Sequence, residues 1–185
     1  MRLIVLLLVA LFVTACDRQK PDVPQAPAAD VQSGKGLDRS RKGKIAPTTA
    51  FNDPAGEETS IAAFKGTPVL VNLWATWCAP CVKELPTLEA LEARQKGKLA
   101  VIAVSQDMTD KGSVDTFLED KKFGRFAAYH DADMAMSSAL GVQVLPTTIL
   151  FDADGKEVWR FVGDLDWDGA EAKTLMAEVS PAVAR

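Results

Sequence analysis

The chain is short of the ligands that a structural zinc site takes. Its 185 residues include three cysteines and one histidine, His130, whereas a structural zinc site takes four ligands. It also lacks an excess of positive charge. Lys and Arg number 21 against 25 Asp and Glu, a formal net charge of −4, which argues against a nucleic-acid partner. Long apolar runs are missing too. The one stretch that approaches a membrane span, Leu3 to Val13, falls well short of the roughly 20 apolar residues that a bilayer requires. There is no internal repeat. Once an N-terminal export segment and a tether are set aside, about 140 residues remain, the usual size of one domain.

Two of the three cysteines stand together in Trp74-Ala75-Thr76-Trp77-Cys78-Ala79-Pro80-Cys81. The stretch joins an apolar run, Val69 to Trp74, to an amphipathic run from Cys81 to Lys96. A strand therefore feeds a helix, with a dithiol at the junction, and that context points to redox chemistry. The first N–H groups of a helix lack intrahelical partners, and the helix dipole favours negative charge there. A thiolate at that position is stabilised below the free thiol value of about 8.5. This predicts Cys78 as the attacking thiolate and Cys81, one turn inside the helix, as the resolving thiol. Pro80 suits a first helical turn, where its missing N–H is not needed. The competing readings are half a zinc site and a purely structural disulfide. A bridge closing so short a loop removes little unfolded-state entropy.

The wording Asn72-Leu73-Trp74-Ala75-Thr76-Trp77-Cys78-Ala79-Pro80-Cys81-Val82-Lys83-Glu84-Leu85-Pro86 resembles the thioredoxin superfamily. Within it, the match is to the membrane-tethered extracytoplasmic branch, the TlpA-like and ResA-like thiol-disulfide oxidoreductases. The likeness runs from Ile45 to the C-terminus. It implies an α/β, thioredoxin-like fold: a central mixed β-sheet flanked by helices, with an N-terminal hairpin extension. Many superfamily members carry a buried Asp six residues before the first cysteine; this chain has Asn72 there, which takes no proton. ResA-like proteins carry a Glu three residues after the second cysteine, credited with tuning the dithiol. On that basis Glu84 is expected to accept the Cys81 proton; the alternative is a surface glutamate near a helix N-terminus. Pro86 also matches the superfamily spacing and is expected to interrupt the helix, which Gly97 then ends.

Val142-Gln143-Val144-Leu145-Pro146-Thr147-Thr148 resembles the superfamily's cis-proline loop, which faces the dithiol. The resemblance implies a cis Leu145–Pro146 bond and a loop that presents the Leu145 backbone to an extended substrate by strand addition. It also implies that the loop keeps metals off the dithiol. An ordinary proline at a strand entrance is the alternative. Trp77, Ala79, Pro80, Leu145, Pro146 and Thr147 are thus the expected substrate-binding residues.

At the N-terminus, Arg2 and the short apolar run read as a secretory signal. Val13-Thr14-Ala15-Cys16 resembles a bacterial lipobox. This implies a signal peptide over 1–15 and a lipidated Cys16 that anchors the chain to the membrane; an uncleaved signal anchor or ordinary cleavage nearby are the alternatives. Asp17 resembles the signal that retains lipoproteins at the inner membrane. Residues 16–44 read as a flexible tether, since no apolar period survives there, and its basic cluster Arg39, Arg41, Lys42 and Lys44 is a candidate for lipid headgroups or plain solvent. The thioredoxin-like domain then spans 45–185.

Further elements follow from local pattern. Ala50 to Phe64 reads as a hairpin or extended segment, with turn chemistry at Asn52 to Gly56 and Ser60 capping a short turn. Strands are expected at Leu99–Ser105, Phe126–Tyr129, Thr148–Asp152 and Glu157–Val162. Helices are expected from Ser113 or Asp115 to Lys122, over Met134–Leu140 and over Gly169–Val179. Asp154-Gly155 predicts a type I′ hairpin turn; the stretch from Asp152 also resembles a calcium-loop fragment that lacks its terminal glutamate. His130, Trp159 and Trp167 read as structural.

The chemistry implied is thiol-disulfide exchange without a cofactor, the dithiol itself being the reagent, on exported proteins such as oxidised apocytochrome c. A reductant in an oxidising compartment needs electrons from across the membrane. The resemblance implies a transmembrane thiol transporter of the DsbD or CcdA kind as donor, on the periplasmic face of the inner membrane, to a monomer. A disulfide-forming oxidase, a peroxiredoxin and a non-catalytic lipoprotein scaffold are the alternatives.

Overall fold

Alternation along the six residues Val69–Trp74 sets the layers of the domain. This strand has every residue buried. Leu70 and Trp74 enter one apolar cluster, while Val69, Val71 and Leu73 enter another on the opposite face, as a period of two requires. A strand covered on both faces is the reason for the near-continuous apolar run. The computed structural model describes residues 35–123 and 128–179. The signal segment, Cys16 and the first part of the tether lie outside the described residues, as do Phe126 and Ala127 in the expected third strand.

The strands are β1 (Gly36–Asp38), β2 (Phe51–Asn52), β3 (Glu58–Thr59), β4 (Val69–Trp74), β5 (Ala100–Ser105), β6 (Tyr129–His130), β7 (Thr147–Phe151) and β8 (Glu157–Val162). The helices are α1 (Ala79–Gln95), α2 (Lys111–Asp120), α3 (Ala135–Leu140) and α4 (Ala170–Met176), and a 3-10 turn covers Ile61–Phe64. One mixed sheet runs in the order β1-β8-β7-β4-β5-β6-β2-β3. The β4–β5 and β5–β6 pairs are parallel, and β4–β7 and β7–β8 are antiparallel. One cluster packs α1, α2 and α4 through Leu85, Leu88, Val114, Leu118 and Leu175. The other packs α3 and the 3-10 turn through Met136, Leu140 and Ile61. This is the thioredoxin-like α/β fold, and the β2–β3 pair supplies the expected hairpin.

Several expectations need correction. Residues 36–38, placed in the tether by composition, pair as β1 with β8. Gly43 N–H donates to the Glu157 carbonyl and Glu157 N–H to that of Lys44, so the folded part begins ahead of Ile45. Of the basic cluster, Arg39 pairs with Glu178 and Arg41 donates to the Leu140 carbonyl. Composition alone missed these because the partners lie about a hundred residues or more along the chain. Pro86 does not interrupt α1, which continues to Gln95; burial of Leu85, Leu88 and Leu91 on one face holds the two halves together. Helix α2 starts earlier than Ser113, because Asp110 caps it by accepting from Ser113 N–H at 3.0 Å. At the β7–β8 turn only Gly155 has positive φ, +78°, so the turn is not type I′. Gly155 N–H donates to the Asp152 carbonyl, and Asp152 Oδ1 accepts from the N–H groups of Asp154 and Lys156. That is a three-residue loop closed by a left-handed glycine. Ser60 stands at the N-cap of the 3-10 turn without a side-chain bond.

Candidate active site

The dithiol sits where β4 hands over to α1. Helix α1 begins at Ala79, so Cys78 is its N-cap, and the Cys78 sulfur accepts from Cys81 N–H at 3.4 Å. Cys78 and Cys81 are joined in a disulfide. Their exposure differs in kind. Cys78 lines a cleft of about 400 Å³, whereas Cys81 is 0% exposed and does not line it. Trp77, Ala79 and Pro80 form the cleft wall beside Cys78. Met134, Ser137, Val142, Gln143 and Leu145 form the wall opposite.

Leu145–Pro146 is cis. Of the expected substrate-binding residues, the structure brings Trp77, Ala79, Pro80 and Leu145 to the cleft. Pro146 and Thr147 lie behind it: both are buried, and Thr147 Oγ1 donates to the Val144 carbonyl at 2.7 Å, which braces the loop. Val142 and Gln143 stand in the stretch that resembles the cis-proline loop, whereas Met134 and Ser137 carry no signal in the sequence; α3 reaches the dithiol only through the folding of the sheet.

Beneath the dithiol, register gives Asn72 its role. Asn72 points to the same face of β4 as Leu70 and Trp74, toward α1. Its Nδ2 donates to Glu84 Oε1 at 2.6 Å and to Thr148 Oγ1 at 2.9 Å. Glu84 Oε2 accepts from Leu165 N–H at 3.0 Å. Glu84 is 3% exposed, so the alternative of a surface glutamate is excluded. Burial pushes its carboxyl up from 4.5 to about 7, against the opposing pull of the Leu165 N–H and the Asn72 amide. A carboxyl one helical turn from Cys81 thus titrates near neutral pH.

A second polar cluster holds the loop ahead of Cys78. The buried Asp107 carboxylate, just past β5, takes Thr76 N–H at 2.9 Å and Thr76 Oγ1 at 2.7 Å. It also accepts from Ser105 Oγ at 2.7 Å, and the Asp107 carbonyl lies 2.9 Å from His130 Nε2. Gln106 continues the cluster: its Nε2 donates to Asp131, and its Oε1 accepts from Ser137 Oγ. Asp131 in turn caps α3, accepting from the N–H groups of Ala135 and Met136. Both walls of the cleft therefore rest on one network. No local motif marks Asp107, and the sequence reading missed it. Replacing Asp107 with Ala orphans three donors, two of them on Thr76, and is expected to lower stability by about 3 kcal/mol, read as a shift in the urea unfolding midpoint.

The site and sheet together define a thioredoxin-like dithiol protein, and comparison narrows the class. The Redoxin family model matches residues 41–176. Thiol-disulfide oxidoreductase ResA of Bacillus thuringiensis (strain Al Hakam) is 36% identical over 124 residues, 66% of this chain and 70% of that protein. ResA of Bacillus subtilis (strain 168) is 32% identical over 131 residues, 70% of this chain and 72% of that protein. The thioredoxin domain of a Bacteroides vulgatus thiol-disulfide oxidoreductase superposes with a TM-score of 0.61 at 26% identity, covering 75% of this chain and 98% of that one. The chain belongs to the Redoxin family and is a ResA-like thiol-disulfide oxidoreductase. Among the described residues, no helix is long and apolar enough to cross a membrane.

Proposed function

We propose that the chain reduces disulfides in exported proteins, with Cys78 as nucleophile and Cys81 as resolving thiol. The observation that carries this reading is the asymmetry of the pair. Cys78 caps α1 at the cleft, while Cys81 is sealed behind it. In the reduced enzyme the Cys78 thiolate attacks a substrate sulfur. The substrate S–S bond breaks, and its leaving sulfur takes a proton. Cys81 loses its proton to Glu84 and attacks the Cys78 sulfur of the mixed disulfide; the second substrate sulfur leaves as a thiolate and takes up the proton that Glu84 gives back. Two electrons and two protons pass to the substrate, and the enzyme is left with the Cys78–Cys81 disulfide. Trp77, Ala79, Pro80 and Leu145 hold the substrate chain, and Pro146 and Thr147 shape the loop that presents Leu145.

The setting proposed is the periplasmic face of the inner membrane, with 1–15 as signal peptide and a lipidated Cys16 as anchor. The chain acts there as a monomer. A transmembrane thiol transporter of the DsbD or CcdA kind would restore the dithiol, and oxidised apocytochrome c is the model substrate. The test is the reduction potential of the full chain in detergent, equilibrated against thiol buffers. A reductase is expected near thioredoxin's value of about −270 mV; a value near about −120 mV would make the protein an oxidant and reverse the direction.

A further inference from the structure

We infer that Arg41 and Arg160 are positioning residues for the exchange reaction: together they grip the Leu140 carbonyl and so fix the cleft wall from Val142 to Leu145 across from Cys78. This rests on the reading above that the cleft receives the substrate disulfide, and it adds what holds that wall in place.

The starting point is a buried ion pair that the chemistry does not use. Glu157 and Arg160 are both buried on β8. Residues three apart on a regular strand point to opposite faces. Here the β7–β8 register shifts between Leu150 and Phe151, and the irregularity brings the two side chains together, as a bulge does. The pair is two-pronged: Arg160 Nε donates to Glu157 Oε1 at 2.7 Å, and Nη2 donates to Oε2 at 2.8 Å. That fork fixes the guanidinium plane and leaves Nη1 donating to the Leu140 carbonyl at 3.0 Å. A buried ion pair adds little net stability, because desolvation offsets its attraction. What this one adds is a donor held in one place.

The end of α3 needs that donor. Gly141 takes the left-handed conformation, φ +63°. Its N–H donates to the Ser138 carbonyl at 3.1 Å, and Val142 N–H donates to that of Ser137 at 2.8 Å. These two bonds close the helix but do not serve the Leu140 carbonyl. Arg41 Nη1 supplies a second donor to it. The approach of Arg41 requires a glycine, since a Cβ at position 141 would lie 2.9 Å from Arg41 Nη2. Val142, Gln143 and Leu145 follow directly and line the cleft.

Arg41 reaches this point because the chain around it is fastened to β8. Asp38 stands opposite Arg160 in the β1–β8 register. Gly43 N–H donates to the Glu157 carbonyl at 2.7 Å, and Glu157 N–H donates to the Lys44 carbonyl at 2.8 Å. Glu157 thus holds the N-terminal segment with its backbone and Arg160 with its carboxylate. Asp131 caps the start of α3, and the two guanidinium groups hold its end.

Arg160→Ala strands the buried Glu157 carboxylate and is expected to destabilise the whole chain, so Arg41→Ala, at a half-buried position, carries the test. The full chain is reduced and freed of reductant, and its Cys78–Cys81 dithiol is verified by alkylation and mass. Single-turnover rates are measured on a dimeric peptide disulfide and on hydroxyethyl disulfide, which is too small to lean on the wall. In Arg41→Ala the ratio of the peptide rate to the hydroxyethyl disulfide rate is expected to fall about tenfold, with the reduction potential unchanged. Arg41→Lys, which keeps a donor for the Leu140 carbonyl, is expected to recover the ratio to within about twofold. Amide exchange read by mass spectrometry should quicken about tenfold over residues 142–145 in Arg41→Ala and stay as it is over α1. An unchanged ratio, a ratio that Arg41→Lys does not recover, or exchange that quickens throughout the chain would overturn the positioning role alone. A parent chain that reduces neither disulfide would overturn the reductase reading itself.

Discussion

Cys78→Ser is expected to lower the rate of substrate disulfide reduction by a factor on the order of 10³ or more, because a neutral hydroxyl replaces a thiolate nucleophile. Cys81→Ser behaves differently. Cys78 still attacks, but nothing releases the product, so one substrate molecule stays bonded to each enzyme molecule. Intact-mass measurement reads this directly, as an adduct on Cys81→Ser that a reductant removes and that is missing from Cys78→Ser. The difference follows from geometry: one sulfur faces the cleft and the other lies under the helix. An adduct on Cys78→Ser and none on Cys81→Ser would reverse the two roles. Rates unaffected by either change would leave a scaffold whose dithiol is idle.

Glu84→Gln carries the second large effect. The Glu84 carboxyl is held at about 7 in the folded protein against an ordinary value of 4.5. Between those two values the folded state keeps a proton that the unfolded chain releases. The contribution of this group to stability is therefore full below pH 4.5 and is lost as pH rises through 7. The 2.5-unit rise from 4.5 to about 7 corresponds to about 3 kcal/mol between those limits. Stability of Glu84→Gln should be nearly flat over the window in which the parent protein weakens, as measured by urea unfolding at a series of pH values. The same change should move the Cys81 titration to lower pH, since the buried carboxylate that competes with the thiolate is gone. It should also slow the resolving step about a hundredfold by removing the proton acceptor. Identical pH profiles in the two proteins would exclude Glu84 from proton transfer and leave it as a hydrogen-bond partner of Asn72 and Leu165.

Asn72 shows how far a single position can be read from sequence. Its place in an apolar run marks it as a buried polar side chain, and its amide excludes a proton-transfer role. That it grips Glu84, twelve residues on, depends on β4 turning this face toward α1. Pro86 teaches the converse. Its effect on an isolated helix is local and disruptive, yet α1 runs through it because three leucines pack on the sheet.

What the sequence by itself determined is local in origin. The strand-to-helix junction, the cysteine at the helix start and strand β8 all follow from residues within a few positions of one another, through apolar period and capping, and the cis-proline loop was legible from its short motif only through the family resemblance. The tertiary structure alone decided everything that depends on contacts across the sheet. It placed Asp107 under Thr76, joined Leu165 to Glu84, brought Met134 and Ser137 opposite Cys78, and drew residues 36–38 out of the tether onto β8. Such contacts join positions tens of residues apart or more, and their register is set by the packing of whole faces; no short stretch of chain encodes them.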